Sequence, residues 1–405
     1  PSAEIARKSY QHRTFGLGYC NLGSLLTHMG IPYADERGYA ICGALTSIMS
    51  GESYATSAEM ASILGAFPGY EDNSEHMLRV MRNHRRAAYD VPSDEYEGLT
   101  VAPMGINSKK CPKNLLEGAR VAWERALREG EEHGFRNAQT TVIAPTGTIG
   151  LVMGADTTGV EPQFSLIQYK QLAGGGSLRI INTGVPNALK HLGYTDKQTQ
   201  IIEEYIMGTA SLRDSPVVSS KALRELGFDA QKIKDIESSF PDVFDLKSAF
   251  TPSILGQDFC TSTLSMTNEQ YEDPFFDTLR HLGFTPSDVE QANDHVFGYG
   301  TIEGAPNLKE EHLAVFDCAT PCGKHGVRSI DWKAHVLMMA AAQPFISGAI
   351  SKTINMPADA TIEEIRAAYE LSHETMNKAC AVYRDGSKLS QPLMNQLIDE
   401  SSIGE

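Results

Sequence analysis

Long apolar runs are missing from this sequence. The longest, such as Val336 to Ala342, fall far short of the about 20 residues that span a bilayer, and no charged-then-apolar signal segment opens the chain. The expectation is a cytoplasmic protein with no membrane partner. Basic residues are outnumbered, with 35 Lys and Arg against 51 Asp and Glu, and the resulting formal charge of −16 repels DNA, RNA and anionic membranes. No nucleic-acid partner is expected. Seven scattered cysteines without dense, regular spacing exclude a secreted disulfide scaffold. The histidines form no H-x-H or H-E-x-x-H arrangement and no G-x-S-x-G elbow occurs, so neither a histidine metal centre nor a serine hydrolase is indicated. A starting methionine is also absent. The chain opens on Pro1, which suggests a fragment, a processed product, or one half of something larger.

What is present is an ordinary globular composition, 41% hydrophobic and 21% charged, long enough for one large domain or two ordinary ones. Phe15 to Gly23 carries glycines at a G-x-G-x-x-x-x-G spacing, which fails the dinucleotide fingerprint and points to close packing. Apolar residues recur every three or four positions from Asp35 to Leu64, predicting a helix or helix pair, and again in Asn73 to Ala88 and Asn114 to Glu129. Phe135 to Ala144 reads as a strand. Further helices are expected at Pro186 to His191, Asp196 to Ile206, Ser219 to Leu226 and Ala230 to Ser238, after a glycine run, Gly174 to Gly176, that reads as flexible. A helix at Trp332 to Ala342 precedes an alternating, strand-like run from Ala349 to Pro357. Thr361 with Glu364 forms a capping box that starts a helix running to about Cys380, and Ala381 to Tyr383 is a short strand.

Candidate chemistry gathers at Pro145-Thr146-Gly147-Thr148-Ile149. A β-branched run meets a proline, and Thr-Gly-Thr then opens a helix, where backbone N–H groups, two hydroxyls and the macrodipole favour an anion such as phosphate. The plainer reading is a strand-to-helix turn with Thr146 or Thr148 as N-cap. Glu161, beside Pro162, either orients a substrate or caps its own loop. Cys318 and Cys322 stand at C-x-x-x-C with a single nearby His325, a redox or structural pair rather than a zinc site. No metal is expected.

Several stretches together resemble one family, the catalytic chain of ribonucleotide reductases, and within it the adenosylcobalamin-dependent class II enzymes. They are Arg13 to Tyr19, Met29 to Tyr33, Arg136 to Thr141, Ala144 to Ile149, Thr158 to Pro162, Phe316 to Ala319, Ser351 to Asn355 and Tyr383 to Gly386, in the family's order. The resemblance implies an α/β fold, the C-terminal part of a ten-stranded α/β barrel, with residues 1–386 in the barrel domain and 387–405 a linker or exit segment. It implies a ribonucleotide substrate held by its phosphates at Pro145 to Ile149, adenosylcobalamin as cofactor, and a dithiol reductant such as thioredoxin. The chemistry implied is cleavage of the cobalt–carbon bond, a thiyl radical, and replacement of the 2′ hydroxyl by hydrogen.

One departure limits the resemblance. The family's radical cysteine sits in an Asn-x-Cys-x-Glu loop, and none of the seven cysteines here has Asn two before and Glu two after. That loop is expected upstream of Pro1, in an N-terminal part of the same enzyme, so no catalytic residue lies in this chain and turnover alone is not expected. The diiron-dependent relatives carry a Tyr-Tyr radical relay shortly before a segment like Arg384-Asp385-Gly386; the corresponding positions fall near Ala379 and Cys380, which favours the cobalamin class. The alternatives are a fragment of a diiron class I chain and a non-catalytic nucleotide-binding half of a split enzyme.

Overall fold

The computed structural model of the chain describes residues 2–171 and 177–388. The glycine run at 174–176 and residues 389–405 of the exit segment lie outside the described residues. The described residues gather into two compact units, one of 2–164, 317–320 and 329–388, the other of 165–171, 177–316 and 321–328. No helix among them is long and apolar enough to cross a membrane.

The first unit holds α1 (Ala3–His12), α2 (Leu22–His28), α3 (Glu36–Leu64), α4 (Ser74–Tyr89), α5 (Lys113–His133) and α6 (Gly147–Met153), and later α7 (Trp332–Ala342) and α8 (Ile362–Glu374). The periodic run from Asp35 is one continuous helix of 29 residues, started by the Asp35 carboxylate accepting from the Arg37 N–H. It stays unbroken at Gly51 because that position lies against α5, where a Cβ would come within 2.7 Å of Ala122 Cβ. The aromatic core of Tyr54, Trp123, Phe135 and Phe345 fills the space among α3, α4 and α5. A second cluster, with Leu22, Ile41, Ile143, Val336, Ile354 and Met356, packs α2, α3 and α7 against strand-like segments.

Those segments are shorter than the sequence predicts. Phe135 to Ala144 is not a continuous strand. Only Thr141 and Ile143 pair, Thr141 in parallel with Leu17 and Ile143 in parallel with Ile350. The run is bounded by its neighbours and by Pro145: Gly18 lies so close that a Cβ there would sit 2.4 Å from the Val142 carbonyl oxygen, pairing stops at single residues, and the proline ends the segment. The Ala349 to Pro357 run narrows to β3 (Thr353–Met356), which pairs in parallel with β4 (Ala381–Arg384). Parallel pairing of segments separated by helices is the α/β pattern. The ten-stranded barrel is a different matter. The described residues form two two-stranded sheets and two isolated bridges, and no closed barrel.

α3 fixes the position of the 137–143 segment through small polar residues. Ser50 Oγ donates to Thr141 Oγ1 at 3.0 Å, Tyr54 OH to the Ala138 carbonyl, and Ser57 Oγ to Asn137 Oδ1 at 2.9 Å. α8 begins with the expected capping box but ends at Glu374, six residues early, where Met376 turns left-handed and the Asn377 N–H returns to the Ser372 carbonyl.

The second unit is built from an antiparallel hairpin, β1 (Ile167–Gln171) with β2 (Ser177–Ile181), and helices including Gly184–His191, Asp196–Met207, Ala230–Ser239 and Pro286–Phe297. Its own core contains Leu212, Phe228, Ile236, Phe250, Cys260 and Leu279.

Candidate functional site

The turn at Pro145 to Ile149 follows Ile143, which is buried and bridged to Ile350. Pro145, Gly147, Thr148 and Ile149 are all exposed. Thr146 is left-handed at φ 48°, a costly conformation for a β-branched residue. Its Oγ1 accepts from the Gly159 N–H at 3.1 Å, which ties it to the loop that follows the helix, and its hydroxyl hydrogen is left to donate elsewhere. The first backbone bond of the new turn runs from Gly150 N–H to the Thr146 carbonyl, 2.9 Å. The N–H groups of Gly147, Thr148 and Ile149 therefore precede it without intrahelical acceptors. A Cβ at Gly147 would meet nothing within 4 Å and its φ is not left-handed, so the chain itself gives no steric reason for glycine there.

The loop carrying Glu161 is brought to this turn by that Gly159 bond. Its near end is pinned by α2 and the residue before it: Asn21 exchanges hydrogen bonds with Thr157, and the Ser24 N–H donates to Thr157 Oγ1. The buried Tyr33 hydroxyl donates to the Val160 carbonyl at 2.6 Å. Each oxygen of the Glu161 carboxylate accepts one hydrogen bond, from β3 and from the residue preceding it. Oε1 accepts from the Thr353 N–H at 2.7 Å, and Oε2 from Lys352 Nζ at 2.6 Å.

Lys352 carries no role that the sequence alone discloses. Ile350, Lys352, Ile354 and Met356 are all buried, which is the period-two alternation with a lysine in an apolar register. Its three ammonium donors meet three acceptors: Glu161 Oε2, the Thr353 carbonyl and His335 Nδ1, the last at 2.6 Å. A neutral His335 that accepts at Nδ1 would carry its proton on Nε2, a buried atom with no hydrogen-bond partner. Burial lowers the Lys352 pKa, with Glu161 opposing. Burial first, and then the Lys352 cation, hold His335 well below the ordinary histidine range. Burial, then Glu161, raise the Tyr33 phenol well above its usual value. The rings of His335 and Tyr33 lie 5.9 Å apart; Tyr33 falls in one of the family-like stretches but without an assigned role, and His335 falls in none.

Cys318 is buried in the first unit, where the Ala319 N–H donates to the Gln163 carbonyl and the Ile330 N–H to Cys318's own carbonyl. Cys322 is buried in the second unit. Among the described residues no group of three or more His, Cys, Asp or Glu gathers as a metal-ligand set.

Comparison with known proteins gives these features a family. The model of the "Ribonucleotide reductase, barrel domain" family matches residues 1–252 and 249–383. A vitamin B12-dependent ribonucleotide reductase of Agrobacterium fabrum is 55% identical over 401 residues, which is 99% of this chain and 31% of that protein. The protein of the same name from Bradyrhizobium diazoefficiens is 54% identical over 98% of this chain and 32% of its own length. A vitamin B12-dependent ribonucleoside-diphosphate reductase of Mycobacterium tuberculosis is 23% identical over 97% of the chain and 34% of its length. The chain thus spans about a third of the length of these relatives. With the family model matching nearly end to end, the chain belongs to the ribonucleotide reductase barrel-domain family.

Proposed function

We propose that this chain serves an adenosylcobalamin-dependent ribonucleotide reductase, and that its own contribution is to grip the substrate's phosphates at Pro145 to Ile149. The observation that carries the reading is the exposed first turn of α6, with three N–H groups ahead of its first hydrogen bond and a glycine its own chain does not require. Thr148 and the donor of Thr146 add two hydroxyls to the cradle. Each hydrogen bond to a charged oxygen is worth roughly 1.5–3 kcal/mol, and a local site of this kind works against the repulsion of a chain carrying −16. Holding the substrate in place, rather than acid–base work, is what such a turn offers to catalysis.

The names of the relatives support ribonucleotide reduction with cobalamin, and one names a diphosphate, which we take as the substrate class. When bound, adenosylcobalamin supplies the radical by breaking its cobalt–carbon bond. None of the described residues gathers as a metal-ligand set, and we assign none of them to the cofactor. The thiyl-forming cysteine of the resemblance, in an Asn-x-Cys-x-Glu loop that these 405 residues do not contain, comes from elsewhere in the enzyme. A dithiol such as thioredoxin returns the electrons. Cys318 and Cys322, which their spacing offers as a redox or structural pair, take no part in the phosphate grip in this reading.

The test is steady-state kinetics of the complete reductase polypeptide carrying Thr146→Ala with Thr148→Ala. Deoxyribonucleotide should form only with adenosylcobalamin, and KM for a ribonucleoside diphosphate should rise about 100-fold or more, as loss of two bonds of roughly 1.5–3 kcal/mol each requires. An unchanged KM removes the phosphate assignment.

A further inference from the structure

We propose that Lys352 is a positioning residue for the phosphate turn, acting through Glu161 and the 157–162 loop on Thr146. The inference rests on the reading of Pro145 to Ile149 as the phosphate grip and adds the device that sets its geometry.

The mechanical path is short. Thr146 is held in the left-handed region, which an isolated threonine leaves readily, so something outside the turn must hold it. Its side chain is tied to the Gly159 N–H, and Gly159 is itself left-handed at φ 49° and packs closely against the Ala144 carbonyl oxygen. The Glu161 N–H closes the same loop onto the Thr158 carbonyl at 2.8 Å. Beyond that point the loop is tied down by the Glu161 carboxylate, whose two oxygens are taken by the Thr353 N–H and Lys352 Nζ. Releasing Lys352 frees one oxygen of the anchor and leaves the other on a single backbone bond.

Lys352 is a poor choice if the aim is stability alone. Its side chain has no exposed surface, while Glu161 retains 22%. Buried pairs of this kind are often no more stabilising than apolar side chains of equal volume, and its neighbours in register are Ile350, Ile354 and Met356. An isoleucine or methionine would suit that face. What an apolar residue cannot do is fix both the direction and the distance of a carboxylate on a loop. The three acceptors around Nζ, with His335 Nδ1 as the third, leave the ammonium one orientation. Because it has no exposed surface, Lys352 touches no substrate and acts only through the loop.

The experiment uses the complete reductase polypeptide with Lys352→Met, Glu161→Gln and the double variant, beside Thr148→Ala as a control on the turn itself. Steady-state kinetics with a ribonucleoside diphosphate, the thermal midpoint, and deuterium exchange of the 145–162 segment against α3 are measured. The expected result is a KM raised at least tenfold in Lys352→Met with kcat changed less than threefold, and faster exchange across 145–162 but not in α3. The double variant, which leaves no unpaired buried charge, should regain thermal midpoint but keep the raised KM. If KM and thermal midpoint recover together, the pair is only structural and the proposal fails. It also fails if Lys352→Met, or Glu161→Gln where the lysine variant does not fold, leaves KM within twofold of the parent while Thr148→Ala raises it. If Thr148→Ala leaves KM unchanged, the phosphate reading falls and takes this inference with it.

Discussion

Single residues carry two kinds of information in this chain, and His84 illustrates the first. It is buried, stacked on Trp123 at 4.7 Å, and bonded through Nδ1 to the Pro344 carbonyl. Burial holds its pKa down to about 4. The unfolded chain, with histidine near its ordinary value of about 6.5, takes up the proton first on acidification. The stabilisation is therefore complete above about pH 6.5 and is lost as the pH falls toward 4, by as much as about 3 kcal/mol. His335, lowered in the same direction, adds to the loss. Urea midpoints taken between pH 7 and pH 4.5 should fall, and His84→Phe, which keeps the stack without the proton site, should flatten that fall. An equal slope in the variant would show that His84 is not its source. Lys352→Met belongs to the second kind. Besides its kinetic effect it strands part of a buried pair, for which a loss of about 3 kcal/mol is the expected scale.

Residues differ in how openly the sequence announces them. The Pro-Thr-Gly-Thr-Ile turn was legible because Pro145 ends one run and glycine with two hydroxyls opens another, a local signal. Lys352, His335 and Tyr33 were not, because their meeting joins positions 33, 161, 335 and 352, and only the chain's folding brings them within reach. One clue was present. In the alternating run from Ala349 a lysine falls in register with Ile350 and Ile354, and an inward lysine needs a partner.

Among the elements, helices were read well and strands poorly. α3, α4, α5 and α7 follow from three-and-four spacing of apolar residues, a pattern that needs no knowledge of neighbours. The extended segments depend on what lies beside them, and the 139–143 run pairs at single residues with partners some 120 and 200 positions away. The α3 to α5 contact makes its own expectation. Gly51→Val forces side-chain atoms into Ala122 and the Trp123 backbone and should cost about 1–3 kcal/mol by overpacking, whereas Thr361→Ala, which removes the cap of α8, should cost about 1 kcal/mol. Thermal or chemical unfolding of the two variants checks the order. A Gly51→Val protein as stable as the parent would mean that the two helices move apart at little cost.

At the scale of the whole molecule the family match runs through both compact units, so the second unit, almost entirely helical, belongs to the family as much as the first. The proposed phosphate turn, the Glu161 loop and Lys352 all lie in the first. In the proposed function, backbone donors at the start of α6 hold the nucleotide's phosphates. Gly147→Ala tests it most directly, because nothing in the chain obstructs the added methyl and the helix gains from losing a glycine. In the complete reductase polypeptide the variant's thermal midpoint should be unchanged or higher. Its affinity for a ribonucleoside diphosphate should fall at least tenfold, and that for the unphosphorylated ribonucleoside should stay as in the parent. Equal diphosphate affinity in the two proteins would contradict the claim.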